Sequence, residues 1–180
     1  MVAQEVAEAL DLERIVFIPA RVPPHKESRE ITAPEVRLEM VREAARGNDL
    51  FSVSEVELDR EGPSFTVDTL RHFRAEEGDA ELCFIMGADQ VAEFATWQDP
   101  EIVAELARLV AMSREGTDPE QDTPLVLPSG APVTFERVDV TRIDISSTDI
   151  RERVRGGRSI RYLVPDGVRR VIEDRQLYRS

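Results

Sequence analysis

Hydrophobic positions along the chain switch between two periods, and the switching predicts an architecture. Val2, Val6, Ala9 and Leu10 recur at helical spacing, so the sequence opens inside an amphipathic helix with no capping residue, turn or strand ahead of it. Arg14 to Ile18 reads as a buried strand, which Pro19, Pro23 and Pro24 end in a loop. Thr32 and Glu35 fit a capping box around Pro34 and open a helix with the stripe Val36, Met40, Val41 and Ala44, stopped by Gly47. Phe51 to Leu58 alternates with period two, as a strand does, and Gly62 with Pro63 turns the chain into a helix from about Ser64 to Gly78.

Leu82 to Met86 is a continuous apolar run, the mark of a strand covered on both faces, and Gly87 ends it. A short helix, a turn around Trp97 to Pro100, a helix over Glu101 to Ala107 and a strand over Leu109 to Met112 follow. Gly116 to Pro132 reads as a loop, Val133 to Val140 as an outer strand, Ser146 to Arg155 as a helix, and Val168 to Ile172 as part of a terminal helix. This βαβα rhythm predicts an α/β fold, a mostly parallel sheet with helices on both faces, built as a single domain over 1–180. Ligand sites in such folds lie beyond the carboxyl ends of the strands.

Composition narrows the function classes. With 36 acidic against 23 basic residues the formal charge is −13, and the long-range field repels nucleic acid and anionic membrane surfaces. Small anionic substrates remain open, because a few local donors outweigh a distant net charge. Among the basic residues Lys26 is the one lysine. The single cysteine, Cys83, has no intrachain partner and sits in an apolar run, and no apolar stretch approaches the roughly 20 residues of a membrane span. A cytoplasmic protein is the expectation.

Three segments carry candidate chemistry. Pro23-Pro24-His25-Lys26 sets an imidazole beside an ammonium on a stiffened loop, where a phosphate could receive both or where the charges are incidental. Gly87-Ala88-Asp89 ends the apolar strand: glycine admits a ligand to the backbone and the carboxylate accepts ribose hydroxyls, or the pair is a turn and a cap. Ser146-Ser147-Thr148-Asp149-Ile150-Arg151 fits a capping box and equally a phosphate site, where helix amides and a forked cation converge. Trp97 by default packs in a core, and His72 sits on a charged helix face. With His25, His72 and one cysteine there is no metal-ligand cluster and no Cys/His pair, and the nine glycines hold neither a G-x-G-x-x-G nor a P-loop.

Taken in order, Pro23-Pro24-His25-Lys26, Gly62-Pro63-Ser64-Phe65-Thr66-Val67-Asp68-Thr69-Leu70, Gly87-Ala88-Asp89, Thr96-Trp97, Ile145 to Arg151 and the ending Leu177-Tyr178 resemble bacterial nicotinate mononucleotide adenylyltransferases. The resemblance implies a Rossmann-like nucleotidyltransferase fold. It also implies transfer of the adenylyl group of ATP to nicotinate mononucleotide with Mg²⁺ assisting, giving deamido-NAD and pyrophosphate. Carried over, it assigns Thr66 and the Val67 amide to the nicotinate ring and carboxylate, Trp97 to stacking on the pyridine, Asp89 to ribose hydroxyls, and His25 with Lys26 to the mononucleotide phosphate. Gly87, Ser146, Thr148 and Arg151 fall to ATP.

The sequence departs from the family where asparagine often stands, at Ala20, and where tyrosine often stands, at Gln98. Family members also begin with a strand and a G-G-T-F-D-P-x-H-x-G-H loop ahead of the helix that here starts at Met1. The resemblance therefore implies a chain without its first central strand and without identified catalytic residues, and hence impaired as written. Two other readings stay open: a sister nucleotidyltransferase acting on an acceptor such as phosphopantetheine, and a non-catalytic nucleotide-binding module.

Overall fold

The computed structural model describes residues 1–22, 32–114 and 124–179. In chain order the elements are α1 (Val2–Ala9), β1 (Ile15–Phe17), α2 (Pro34–Ala45), β2 (Phe51–Val53), α3 (Thr66–Glu77), β3 (Cys83–Gly87) and α4 (Ala88–Val91). A 3-10 turn (Phe94–Thr96) leads on to α5 (Pro100–Leu106), β4 (Arg108–Arg114), β5 (Leu125–Val126), β6 (Pro132–Val133), β7 (Glu136–Val140), α6 (Ser147–Arg155) and α7 (Asp166–Asp174). They divide into two units, one made of Met1–Leu12 and Pro63–Arg142, the other of Glu13–Gly62 and Ile143–Ser180.

The first unit is built on a three-stranded parallel sheet in the order β3-β4-β7. Successive residues of β3 and β4 point to opposite faces, as the pleat requires, and each face gathers its own core. Phe84, Met86 and Leu109 join Val67, Leu70, Phe94 and Val103 beneath α3 and α5. Cys83, Ile85 and Val110 turn the other way, to Val6 of α1 with Val138 and Val140 of β7. Both faces are thus covered, which is why Leu82 to Met86 reads as an unbroken apolar run. The Glu5 carboxylate accepts the Thr141 N–H at 2.7 Å and fastens α1 beyond the end of β7.

The second unit holds the parallel pair β1-β2, in which Ile15 faces Phe51 and Phe17 faces Val53. Its core is Ile150, Ile160 and Ile172, with Met40, Val154, Val168, Leu177 and Tyr178 packed around them. Pro34 and Pro100 both sit in the first turn of their helices, where the missing N–H is no loss. Gly47 and Gly78, with φ of +83° and +58°, follow α2 and α3 and adopt the left-handed backbone that ends each helix.

The structure corrects several local expectations. No capping box forms at Thr32 and Glu35: α2 begins at Pro34 behind Ala33 with no side-chain cap, and the Thr32 hydroxyl lies 2.9 Å from the Tyr178 hydroxyl instead. The strand expected to reach Leu58 stops at Val53, because the Glu55 carbonyl accepts the Leu58 and Asp59 amides and the Ser54 hydroxyl accepts that of Val56. The stretch Val133 to Val140 is two strands, interrupted where Phe135 sets its ring edge-on to Phe94, and the preceding loop contains the antiparallel pair β5-β6.

Candidate functional site

The strands of the first unit have chemically distinct ends. At their amino ends Arg108 pairs with Glu136 and lies 3.6 Å from Glu81, closing off that side with a three-strand ionic tie. At the carboxyl end of β3 lie two of the residues the sequence singled out, Gly87 and, just after it, Asp89. Gly87 closes β3 and caps α4 with an ordinary φ of −73°, so no turn demands a glycine there. A Cβ built on it would meet nothing within 4 Å, which leaves the backbone approachable from outside. Its N–H donates to the Gln90 side chain at 3.3 Å, and Asp89 follows as an exposed residue in the first turn of α4.

Thr66 and Val67 occupy the first two positions of α3. The residue ahead of them, Phe65, offers no side-chain cap, so their amides belong to an open helix end. Val67 as a whole is 1% exposed, its backbone as well as its side chain lying in the core at the start of the helix. Trp97 packs against the same cluster, its ring 5.7 Å from Phe84 and 5.3 Å from Phe94, and its indole Nε1 is buried without a hydrogen-bond partner. The half-buried ring thus takes the core role that the sequence offers as the default for a lone tryptophan.

A cavity of about 210 Å³ opens beside Ala88, Val91, Ser113, Phe135 and Arg137. That is below the roughly 300 Å³ at which small-molecule pockets begin, and none of Thr66, Val67, Gly87, Asp89 or Trp97 is among its described lining residues.

In the second unit the sequence Ser146 to Arg151 folds as the capping pattern dictates. Ser146 is the N-cap of α6: its hydroxyl accepts the Asp149 N–H at 3.0 Å and donates to the Asp149 carboxylate at 2.6 Å. The same carboxylate accepts the Ser146 N–H at 3.3 Å. These bonds hold the Asp149 carboxyl below its usual range, the Ser146 hydroxyl contributing most. The box engages the third amide of the helix and leaves those of Ser147 and Thr148, both exposed, at its positive end. Arg151 follows one turn later, its guanidinium carbon 5.7 Å from the centroid of the Tyr178 ring.

Sequence reasoning quoted Tyr178 as a family resemblance but missed its partners. It also missed Arg37, whose guanidinium donates to the Thr32 carbonyl at 3.1 Å and to the Arg21 carbonyl at 3.0 Å. Burial pushes the Arg37 pKa below its ordinary value. The Thr32–Tyr178 contact has no local signal, since it joins positions 146 residues apart, and the Arg37 bonds go to backbone carbonyls, which no side-chain pattern marks. The loop residues His25 and Lys26 lie outside the described residues.

The described residues contain no helix long and apolar enough to cross a membrane. A cytidylyltransferase-like family model matches residues 1–153. A Streptomyces coelicolor protein named a probable nicotinate-nucleotide adenylyltransferase is 44% identical over 178 residues, covering 99% of this chain and 92% of its own length. A Geobacillus thermodenitrificans protein of the same name is 42% identical over 178 residues, with 99% and 78% covered. Among solved structures, the Plasmodium falciparum nicotinic acid mononucleotide adenylyltransferase superposes with a TM-score of 0.71 over 98% of this chain and 89% of that one. At 13% identity this last likeness is one of fold.

Proposed function

The chain belongs to the cytidylyltransferase-like family and, within it, to the nicotinate-nucleotide adenylyltransferases, and from that premise we propose that it transfers the adenylyl group of ATP to nicotinate mononucleotide. A phosphate oxygen of the mononucleotide attacks the α-phosphorus of ATP, the bond from that phosphorus to the bridging oxygen breaks, and pyrophosphate leaves as deamido-NAD forms. No protein nucleophile is needed, so the residues work by positioning and by balancing phosphate charge.

The observation that carries the reading is the start of α6. The capping box fixes that end, the amides of Ser147 and Thr148 point out of it, and Arg151 stands a turn behind. A helix tip with a forked cation suits the phosphates of ATP. Ser146, Thr148 and Arg151 are assigned to them, with Gly87 giving backbone access at the end of β3. Thr66 and the Val67 amide, at the uncapped tip of α3, are assigned to the nicotinate carboxylate, and Asp89 to ribose hydroxyls.

Trp97 is assigned to the pyridine, and His25 with Lys26 to the mononucleotide phosphate. Mg²⁺ enters as the ion carried by the ATP phosphates, where it neutralises charge. A cytoplasmic setting and a single catalytic domain over 1–180 belong to the same proposal.

The test is pyrophosphate release from ATP with nicotinate mononucleotide or phosphopantetheine as acceptor. The reading expects turnover with the first and none with the second. Preference for phosphopantetheine would overturn it, and calorimetric binding of mononucleotide with no turnover would favour a binding module.

A further inference from the structure

Arg151 sits on the first turn and a half of a helix whose tip is exposed, and a long cation in such a place samples many rotamers unless something selects one. We propose that Tyr178 is a positioning residue for Arg151, its ring presenting the guanidinium to the ATP phosphates while its hydroxyl is anchored by Thr32. The proposal rests on the assignment of Arg151 to those phosphates.

Three features support it. First, the guanidinium carbon lies over the ring at 5.7 Å. A ring face holds the cation without accepting its N–H donors as a carboxylate would, so the donors stay available to phosphate oxygens. Second, the ring is itself held. Its hydroxyl is 2.9 Å from the Thr32 hydroxyl, and Arg37 fixes the Thr32 carbonyl at 3.1 Å. Third, this arrangement is maintained against local preference. Thr32 leaves α2 without a side-chain cap in order to reach Tyr178, and Tyr178 holds a φ of +62°, a backbone that non-glycine residues rarely adopt.

The strained backbone is also supported from below. Leu177 and Tyr178 pack on the Ile150, Ile160 and Ile172 cluster, and the Leu177 N–H donates to the Ile172 carbonyl at 3.0 Å. Strain that is over-determined in this way belongs to a part that has to be in one place. Ordering the arginine during folding removes that entropic penalty from ATP binding.

Calorimetric titration of the purified chain with ATP and, separately, with nicotinate mononucleotide tests the role, with melting temperature recorded for each variant. Tyr178→Leu is expected to weaken ATP about twofold to fivefold, the span of an exposed cation–π contact, with mononucleotide affinity unchanged. Tyr178→Phe keeps the ring and should recover most of that loss, and Thr32→Val should match Tyr178→Phe. In an Arg151→Gln background, Tyr178→Leu should add no further loss.

Equal weakening of both ligands would reduce Tyr178 to a structural part and overturn the proposal. So would a further loss of ATP affinity in the Arg151→Gln background. If Arg151→Gln weakens ATP and Tyr178→Leu does not, the tyrosine role alone fails. If Arg151→Gln binds ATP as tightly as the unsubstituted chain, the phosphate assignment fails and the proposal falls with it.

Discussion

Replacing Ser146 separates the two tasks assigned to the start of α6. Alanine removes the hydroxyl that accepts the Asp149 N–H at 3.0 Å and donates to the Asp149 carboxylate at 2.6 Å. Losing such a cap costs typically about 1 kcal/mol, and for a chain of this length each kcal/mol lowers the melting temperature by roughly 2–4 °C. Asparagine caps as well as serine, so Ser146→Asn should melt close to the unsubstituted protein, whereas Ser146→Asp sets one carboxylate against another and should lose about 1 kcal/mol of that stability.

The two caps part company toward ATP. Aspartate also sets a carboxylate beside the phosphate oxygens assigned to this end, and even at the dielectric of bulk water a like-charge pair 4 Å apart costs about 1 kcal/mol, about fivefold in ATP affinity. Thermal melts by circular dichroism and ATP calorimetry on the three variants read both effects. A Ser146→Ala protein that melts with the parent would rule out the capping role, and a Ser146→Asp protein that binds ATP as tightly as Ser146→Asn would rule out phosphate at this end.

Other perturbations test the cores and the packing. A Cβ on Gly167 would overlap the Glu43 Oε2 and lie 3.0 Å from the Glu43 Cβ. Gly167→Ala should therefore destabilise by about 1–3 kcal/mol in urea melts, and Glu43→Ala in the same chain should restore most of it. Phe94 is 0% exposed and its ring is 5.3 Å from both Trp97 and Phe135. Phe94→Ala should cost about 3–5 kcal/mol and shift the emission of Trp97, the sole tryptophan, to the red. The Asp149 carboxyl titrates below its ordinary 3.8 in the folded protein, so its contribution is complete above that value and is lost as pH falls through the lowered one. The stability of Asp149→Asn should lack this acid loss, and an identical acid limb in urea melts at pH 2–5 would contradict the assignment.

Local patterns carried much of the fold. The unbroken run Leu82 to Met86 marked a strand with a core on each face because burial on both sides leaves no polar position, and β3 has that environment. The Ser146 box could be read because its partners are three residues apart and meet as soon as the helix turns. Gly87 and Asp89 were placed at the end of β3 by the period of the apolar run alone.

Thr32 and Glu35 fit the same capping pattern as Ser146 and Asp149, yet the structure forms only the second box. The Thr32 hydroxyl has a competing partner, the Tyr178 hydroxyl, 146 residues away. No periodicity encodes that competition, because an intrinsic capping preference of about 1 kcal/mol is readily outbid by a contact that tertiary packing has already brought within reach. The same holds for Arg151, whose ring partner lies beyond α7. Sequence determined most of the helices and strands and several of the residues at their ends; the tertiary structure decided where β2 stops, that β5 pairs with β6, and which end residues have a neighbour to hold them in place.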